Sequence, residues 1–156
     1  MSDMDNFVKL SAALTGIDPG KLAPGVDPIN VKQELFDKAQ TEGGAIFTQA
    51  LGIAASTPAA TLGGVLLNGS GEDMRFLCRS IMLLWLLGQW IAPGDLKRYA
   101  LPNPPTAPIP STVISSKAYT QGWIWKLAQA HPMGYSEWRF GYWKDPPPPL
   151  NAFIGP

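Results

Sequence analysis

The sequence predicts a mainly α-helical protein: a small irregular helical bundle around one apolar helix, with an extended C-terminal arm rich in proline and aromatic residues. Two observations support this fold class. Residues 74–91, MRFLCRSIMLLWLLGQWI, are the most hydrophobic stretch of the chain, and eleven of the sixteen prolines lie at or after Pro102. Because proline fixes φ and lacks an N–H donor, the helical body and the C-terminal portion should differ in structure.

The apolar stretch is predicted to be the central helix of the bundle. A membrane span needs about 20 apolar residues, and Arg79 and Gln89 bracket a much shorter run. From Ile81 onwards apolar side chains point in every direction, which predicts burial on all sides, within this chain or under a partner. The predicted core residues of this helix are Leu77, Ile81, Leu84, Trp85 and Leu87.

The start of the central helix is expected to carry a polar, ion-paired face. Ser70 is a candidate N-cap, and Glu72 places negative charge in the first turn. Arg75 and Arg79 lie one turn apart and share a face with Glu72, so we expect ion pairing along that face.

Two further helices are predicted before the central one. Residues 3–15 carry a narrow apolar face, so this helix should lie on the surface of the core, and Gly16 is placed to end it. Asp27-Pro28 is a strong start signal for a helix that should run to about residue 42. Gly43-Gly44 interrupts the pattern, which resumes over residues 45–55.

The chain after the central helix divides at its prolines. Residues 101–110, LPNPPTAPIP, predict an extended bridge, and residues 115–130 are the last helical candidate. The predicted organisation is a helical body over 1–100, a bridge and last helix packed on it over 101–134, and an extended arm over 135–156.

The arm concentrates aromatic residues, with five rings in nine positions. So many rings need another surface, and the proline run at 146–149 favours a stiff polyproline II conformation. The tail could fold back on its own domain, but we favour an arm that lies on another subunit. The predicted partner-binding residues are Tyr135, Trp138, Arg139, Phe140, Tyr142, Trp143, Pro146 and Pro147.

Composition narrows the class of protein. Lys plus Arg number 12 and Asp plus Glu number 12, so net charge gives no indication of nucleic acid or of an anionic membrane. Charged residues make up only 15% of the chain against 46% hydrophobic ones, which suggests that much of the surface is covered by a partner. The single cysteine, Cys78, lies in the apolar helix and is expected to be a structural thiol.

No catalytic, cofactor-binding or metal-binding residues are predicted. The only histidine, His131, has no acid at a recognisable spacing, and a general base needs an orienting group and a pocket. Neither Gly43-Gly44 nor Gly63-Gly64 has the spacing and following Lys of a phosphate-binding loop. We therefore expect that the chain is not an enzyme by itself.

Four segments stand out by their order along the chain: FVKLSAALTG (7–16), LWLLGQWI (84–91), VISSKAYTQGWIWKL (113–127) and FGYW (140–143), the last followed by prolines. In this order they resemble the small (gamma) subunit of the membrane-associated FAD-dependent sugar and polyol dehydrogenases, such as the sorbitol, fructose and glucose dehydrogenases. The likeness spans nearly the whole chain, but each motif is loose.

The resemblance implies a specific set of partners. In that family a large flavoprotein of the glucose-methanol-choline oxidoreductase type holds FAD and oxidises the substrate, and a multihaem cytochrome c subunit passes electrons to the membrane quinone pool. The small subunit holds no cofactor, is mainly helical, wraps the large subunit and is required for its maturation. It commonly carries a twin-arginine signal, which is not visible in MSDMDNF.

The resemblance therefore implies a non-catalytic subunit that binds, stabilises and helps mature the FAD-containing subunit. By resemblance the complex is periplasmic and membrane-associated; because no export signal is visible, the alternative is cytoplasmic. The alternative function is an adaptor that recruits a partner through its proline and aromatic tail. A third class, an independent enzyme centred on His131, is the least favoured.

Overall fold

The chain is mainly α-helical, which confirms the predicted fold class. The computed structural model describes residues 2–132, 134–136, 141 and 144–155. Its elements, in order, are α1 (Asp3–Thr15), α2 (Pro19–Leu22), α3 (Val31–Ser56), α4 (Ala59–Gly64), a π-helical turn (Val65–Gly69), α5 (Glu72–Leu87), β1 (Gln89–Trp90), α6 (Pro93–Tyr99), β2 (Thr112–Val113), α7 (Ser116–Thr120), α8 (Trp123–Leu127) and α9 (Leu150–Ile154). In this described part, no helix has the length and hydrophobicity that a membrane crossing requires.

Helix α1 has the predicted bounds and buries its predicted apolar face. It begins at a capping box, in which the Ser2 hydroxyl accepts from the Asp5 N–H at 3.2 Å and the Asp5 carboxylate accepts from the Ser2 N–H at 2.8 Å. Gly16, in the left-handed conformation, ends it. Phe7 and Leu10 are completely buried where α1 packs against α3, α4 and α5, whereas Asp3 and Asp5 are exposed, so α1 lies at the surface of the core as the sequence predicts.

Helix α3 starts later than the sequence predicts. The Asp27 carboxylate accepts from the Asn30 N–H at 2.7 Å and from the Lys32 ammonium at 2.9 Å, so Asp27 holds a turn instead of capping a helix at Pro28. The predicted interruption is present, because Gly44 is non-helical with φ 51° and ψ −133°. The two halves of α3 therefore meet at a kink that only glycine adopts easily.

Helix α5 lies in the core, and its ends differ from the predicted ones. Gly71 is the N-cap, while the Ser70 hydroxyl donates to the Val65 carbonyl at 2.8 Å, so the expected cap at Ser70 is wrong. Gly88 adopts a left-handed conformation and ends the helix at Leu87. The following Gln89 and Trp90 pair with Val113 and Thr112 in a short antiparallel ribbon.

The burial of α5 is uneven in its second half. Leu77, Ile81 and Leu84 have no exposed surface and Trp85 is 2% exposed, but Leu87 is only half-buried. Three other apolar side chains there are also half-buried: Met82, Leu83 and Leu86. Within the chain itself, one side of this half of α5 is therefore incompletely covered.

The expected pairing of Glu72 with the arginines of α5 is wrong. Lys97 instead pairs with Glu72 at 2.6 Å and with Asp73 at 3.3 Å, and the hydrogen bond to Glu72 is the main reason that the pKa of Lys97 is raised. Lys97 lies on α6, a short helix that the sequence analysis does not predict. Because α6 folds back on the start of α5, it competes for the acids there.

The last predicted helix, residues 115–130, is two short helices, α7 and α8, joined through Gly122. A Cβ atom at Gly122 would lie 2.8 Å from the Leu86 carbonyl oxygen, so backbone packs directly on backbone at this point. Ala118 of α7 and Trp123 of α8 are buried in the same core as α5. Close contact with the end of α5 thus explains why one continuous helix does not form.

The C-terminal end differs from a fully extended arm. Residues 150–154 form α9, and the Ile154 carbonyl accepts from the Asp18 N–H at 2.7 Å. The Lys21 ammonium donates to the Ala152 carbonyl at 3.2 Å. This end of the tail therefore contacts its own domain, as in the alternative in which the tail folds back. The division into 1–100, 101–134 and 135–156 stays a prediction.

Candidate interaction surface

An open groove of about 910 Å³ lies along α1, and we call it the α1 groove. Helix α1 contributes Met4, Val8 and Ala12 to its lining, and the first turn of α4 contributes Ala59 and Ala60. These side chains are apolar and mostly short. The groove can therefore receive an apolar segment of another protein with close approach of the two backbones.

The position of α4 beside α1 depends on glycine. A Cβ atom at Gly63 would lie 2.9 Å from the Ala13 carbonyl oxygen, which is closer than real Cβ contacts permit. The absence of a side chain at Gly63 thus lets α4 approach the backbone of α1. This contact places Ala59 and Ala60 beside α1.

The charged groups at the edge of the α1 groove already have partners. The Lys9 ammonium donates to the carbonyl oxygens of Ala54 and Thr57, each at 2.7 Å, and so satisfies carbonyls at the C-terminus of α3. Lys32 pairs with Asp27 at 2.9 Å. These partners leave the apolar lining as the main feature that a ligand could use.

The predicted partner-binding residues are only partly described. Tyr135 is 37% exposed, and its hydroxyl accepts from the Gln121 amide at 3.3 Å. Pro146 and Pro147 are exposed. The other five predicted residues lie outside the described residues: Trp138, Arg139, Phe140, Tyr142 and Trp143.

The proline-rich bridge over residues 101–110 is mostly exposed. The Tyr99 hydroxyl lies 2.6 Å from the Ala107 carbonyl oxygen and 2.9 Å from that of Pro108, so α6 holds the bridge near its end. Leu101 is 55% exposed. This segment offers a second apolar surface, separate from the α1 groove.

The two residues considered as candidates for a chemical role, His131 and Cys78, do not line a large pocket. The Nδ1 atom of His131 lies 3.1 Å from the Pro132 carbonyl oxygen, and the adjoining cavity is only about 30 Å³. Cys78 is completely buried, and burial raises the pKa of its thiol to about 12. Among the residues that the structure describes, no three His, Cys, Asp or Glu side chains are placed to hold a metal ion.

The α1 groove was not foreseen in the sequence, although a signal was present. The narrow apolar face that the sequence predicts for α1 consists of Phe7, Leu10 and Leu14. Val8 and Ala12 lie off that face, so the helix is apolar on two sides. A second apolar side on a short helix indicates either deeper burial or an interface, and α1 shows both features.

Comparison with protein-family models, with curated proteins and with solved structures gives no match to this chain.

Proposed function

We propose that this chain is the non-catalytic small subunit of an FAD-dependent sugar or polyol dehydrogenase complex. Its role is to bind, stabilise and help mature the FAD-containing catalytic subunit, a flavoprotein of the glucose-methanol-choline oxidoreductase type. FAD and substrate oxidation belong to that partner, and a multihaem cytochrome c subunit is a further candidate partner.

One observation carries the proposal. The segment FVKLSAALTG, among the most telling parts of the resemblance, is also the segment that lines the α1 groove. Phe7, Leu10 and Leu14 of this segment are buried in the core, while Val8, Ala12 and Ala13 line the groove. One side of the segment would thus pack in the core of the subunit, and the other side would present an apolar surface to the partner.

The area of apolar surface on this chain also favours a role as a subunit of a stable complex. A stable interface buries about 800 Å² on each partner, which is more than one groove provides. The half-buried second half of α5 and the exposed prolines of the bridge supply further apolar surface. Because only 15% of the residues are charged, an interface of this size on the chain would bury few unpaired charges.

The test is co-expression with a flavoprotein of the glucose-methanol-choline oxidoreductase type from the same genome, followed by purification of the pair. Ala60→Glu places a carboxylate in the groove at an exposed position in the first turn of α4, where an acid does not harm the helix. We expect loss of the complex, with a lower FAD content and activity of the flavoprotein. If the flavoprotein without this chain has full FAD content and activity, the proposal is wrong.

Ala45→Glu is the matched control for this experiment. Ala45 is also exposed, follows the break at Gly44 and lies away from the groove. The control should assemble like the wild type. Equal loss of assembly in both variants would show that added negative charge, not the groove, causes the effect.

The second candidate function is an adaptor that offers its proline tail to an aromatic groove. The exposure of Pro146 and Pro147 favours it. Pro146→Ser/Pro147→Ser shortens the proline run to two residues and should leave the α9 contacts with Asp18 and Lys21 in place. An adaptor would lose its partner in this variant, whereas Ala60→Glu would leave that partner bound.

A further inference from the structure

A second groove, of about 510 Å³, lies beside the first half of α5, and we call it the arginine groove. Its lining residues are Leu67, Asn68, Arg75, Arg79 and Met82. Arg75 and Arg79 are one helical turn apart and both are exposed. Two guanidinium groups therefore border one open groove with apolar side chains at Leu67 and Met82.

Both arginines are held in place by contacts that leave N–H donors free for a ligand. The Nε–H of Arg75 donates to the Leu67 carbonyl at 3.1 Å, which leaves its two terminal nitrogens. The guanidinium carbon of Arg79 lies 5.0 Å from the centre of the Phe76 ring. A cation–π contact of this kind does not require the N–H donors, so they can still bind a ligand.

The positive charge of the arginine groove is not balanced within the described part of the chain. Five of the eleven described lysines and arginines have acidic partners, in the pairs Lys32–Asp27, Lys38–Glu42, Lys97–Glu72, Arg98–Asp95 and Lys117–Glu34. No carboxylate of the described residues pairs with Arg75 or Arg79, and both acids of α5, Glu72 and Asp73, pair with Lys97. Like charges one turn apart repel each other.

We propose that Arg75 and Arg79 bind two carboxylates of an acidic segment on the flavoprotein subunit. This inference rests on the proposed function and adds a second contact site to it. Guanidinium groups bind carboxylates with two parallel hydrogen bonds, and two acidic side chains one helical turn apart match the spacing of the arginines. The apolar Leu67 and Met82 suit the aliphatic parts of glutamate side chains.

A small free anion fits the groove less well than an acidic segment. Phosphate sites usually combine backbone N–H donors with positive charge in an enclosed loop. Here the groove is open, and the described polar lining consists of side chains of Asn68, Arg75 and Arg79. Phosphate is therefore the competing ligand in the experiment.

The experiment compares two double variants, each of which removes two positive charges. Arg75→Gln/Arg79→Gln changes the arginine groove, and Lys38→Gln/Lys117→Gln changes two paired cations elsewhere. The dissociation constant for the flavoprotein is measured between 50 and 300 mM salt (concentrations chosen around ~0.1 M, where the Debye length is about 10 Å). We expect about tenfold weaker binding and a smaller salt dependence for the arginine variant only.

Each other outcome overturns the inference. If the arginine variant binds as tightly as the wild type, the site is wrong although the proposed function stands. If both variants weaken binding equally, only net charge matters. If the wild type forms no complex, the proposed function and the inference both fail. If inorganic phosphate raises the melting temperature of the wild type but not of the arginine variant, and assembly is unchanged, the groove is an anion site instead.

Discussion

The indole N–H of Trp85 donates a hydrogen bond of 2.8 Å to the hydroxyl of Ser11, and both side chains are buried. The bond joins α5 to α1 inside an otherwise apolar region, where Phe7 stacks on Trp85 at 5.9 Å between ring centres. A buried indole donor without an acceptor would be costly. Ser11 is therefore the polar group that permits a tryptophan at the centre of the bundle.

Ser11→Ala should lower the free energy of unfolding by about 1–3 kcal/mol, because it leaves the Trp85 donor buried and unpaired. The double variant Ser11→Ala/Trp85→Phe should lose less free energy of unfolding than the sum of the losses in the two single variants, because it has no unpaired indole donor. Denaturant unfolding of the four proteins measures this coupling. Ser56→Ala, at an exposed hydroxyl in the last turn of α3, is the control and should change stability little. Additive losses would contradict the role given to this bond.

Gly88 and Gly122 are predicted to be the least replaceable of the glycines near α5. Gly88 has φ 64°, and a Cβ atom there would overlap the carbonyl group of Ala118. Gly88→Ala should therefore destabilise the protein by well over ~1 kcal/mol, and Gly122→Ala should follow because of the Leu86 carbonyl. Gly52→Ala, with no atom within 4 Å of the added Cβ, should be neutral or stabilising by about 0.4–1 kcal/mol. Thermal melts of the three variants test this order, and similar losses at all three positions would contradict it.

The features that the sequence predicted correctly depend on neighbouring residues. The bounds of α1 follow from Ser2 and Gly16, and the break in α3 follows from Gly44. The features that it missed depend on distant contacts. Helix α6 forms against the start of α5, and the separation of α7 from α8 follows from packing of Gly122 on Leu86.

The candidate surface was harder to predict than the fold for the same reason. The α1 groove exists because α2 and α4 pack beside α1, and no local pattern specifies that arrangement. The arginine groove depends on Lys97. Helical spacing predicts that Glu72 pairs with the arginines of α5, but Glu72 pairs with Lys97 instead. The aromatic tail, in contrast, was identified from composition alone, and most of its predicted contacts remain predictions.

A charge at Leu84 should act differently from a charge at Leu87. Leu84 has no exposed surface, so Leu84→Glu would bury an unpaired carboxylate and should prevent folding; Leu84→Ala should cost about 2–5 kcal/mol. Leu87 is half-buried, so Leu87→Glu should fold but weaken assembly with the flavoprotein. Soluble yield, circular dichroism and co-purification separate the two effects. Normal yield and assembly for Leu84→Glu would contradict the central position of α5.

The turn before α3 should make stability depend on pH in the acid range. Burial alone would raise the pKa of Asp27, but the hydrogen bonds from the Lys32 ammonium and the Asn30 N–H outweigh it, and the pKa of Asp27 is lowered. An unfolded Asp has a pKa of about 3.9. The unfolded chain therefore binds this proton first, so the contribution of Asp27 is fully present above about pH 5 and falls as the pH drops below about 4.

Asp27→Asn should thus be less stable than the wild type at pH 6.5, and the difference should shrink steadily between pH 5 and pH 2.5. Lys32→Gln should show a weaker pH dependence than the wild type, because the main donor to Asp27 is gone. Denaturant midpoints at five or six pH values measure both trends (midpoints report stability when the denaturant slope is constant). A difference between Asp27→Asn and the wild type that stays constant down to pH 2.5 would show that Asp27 acts through shape and not through its charge.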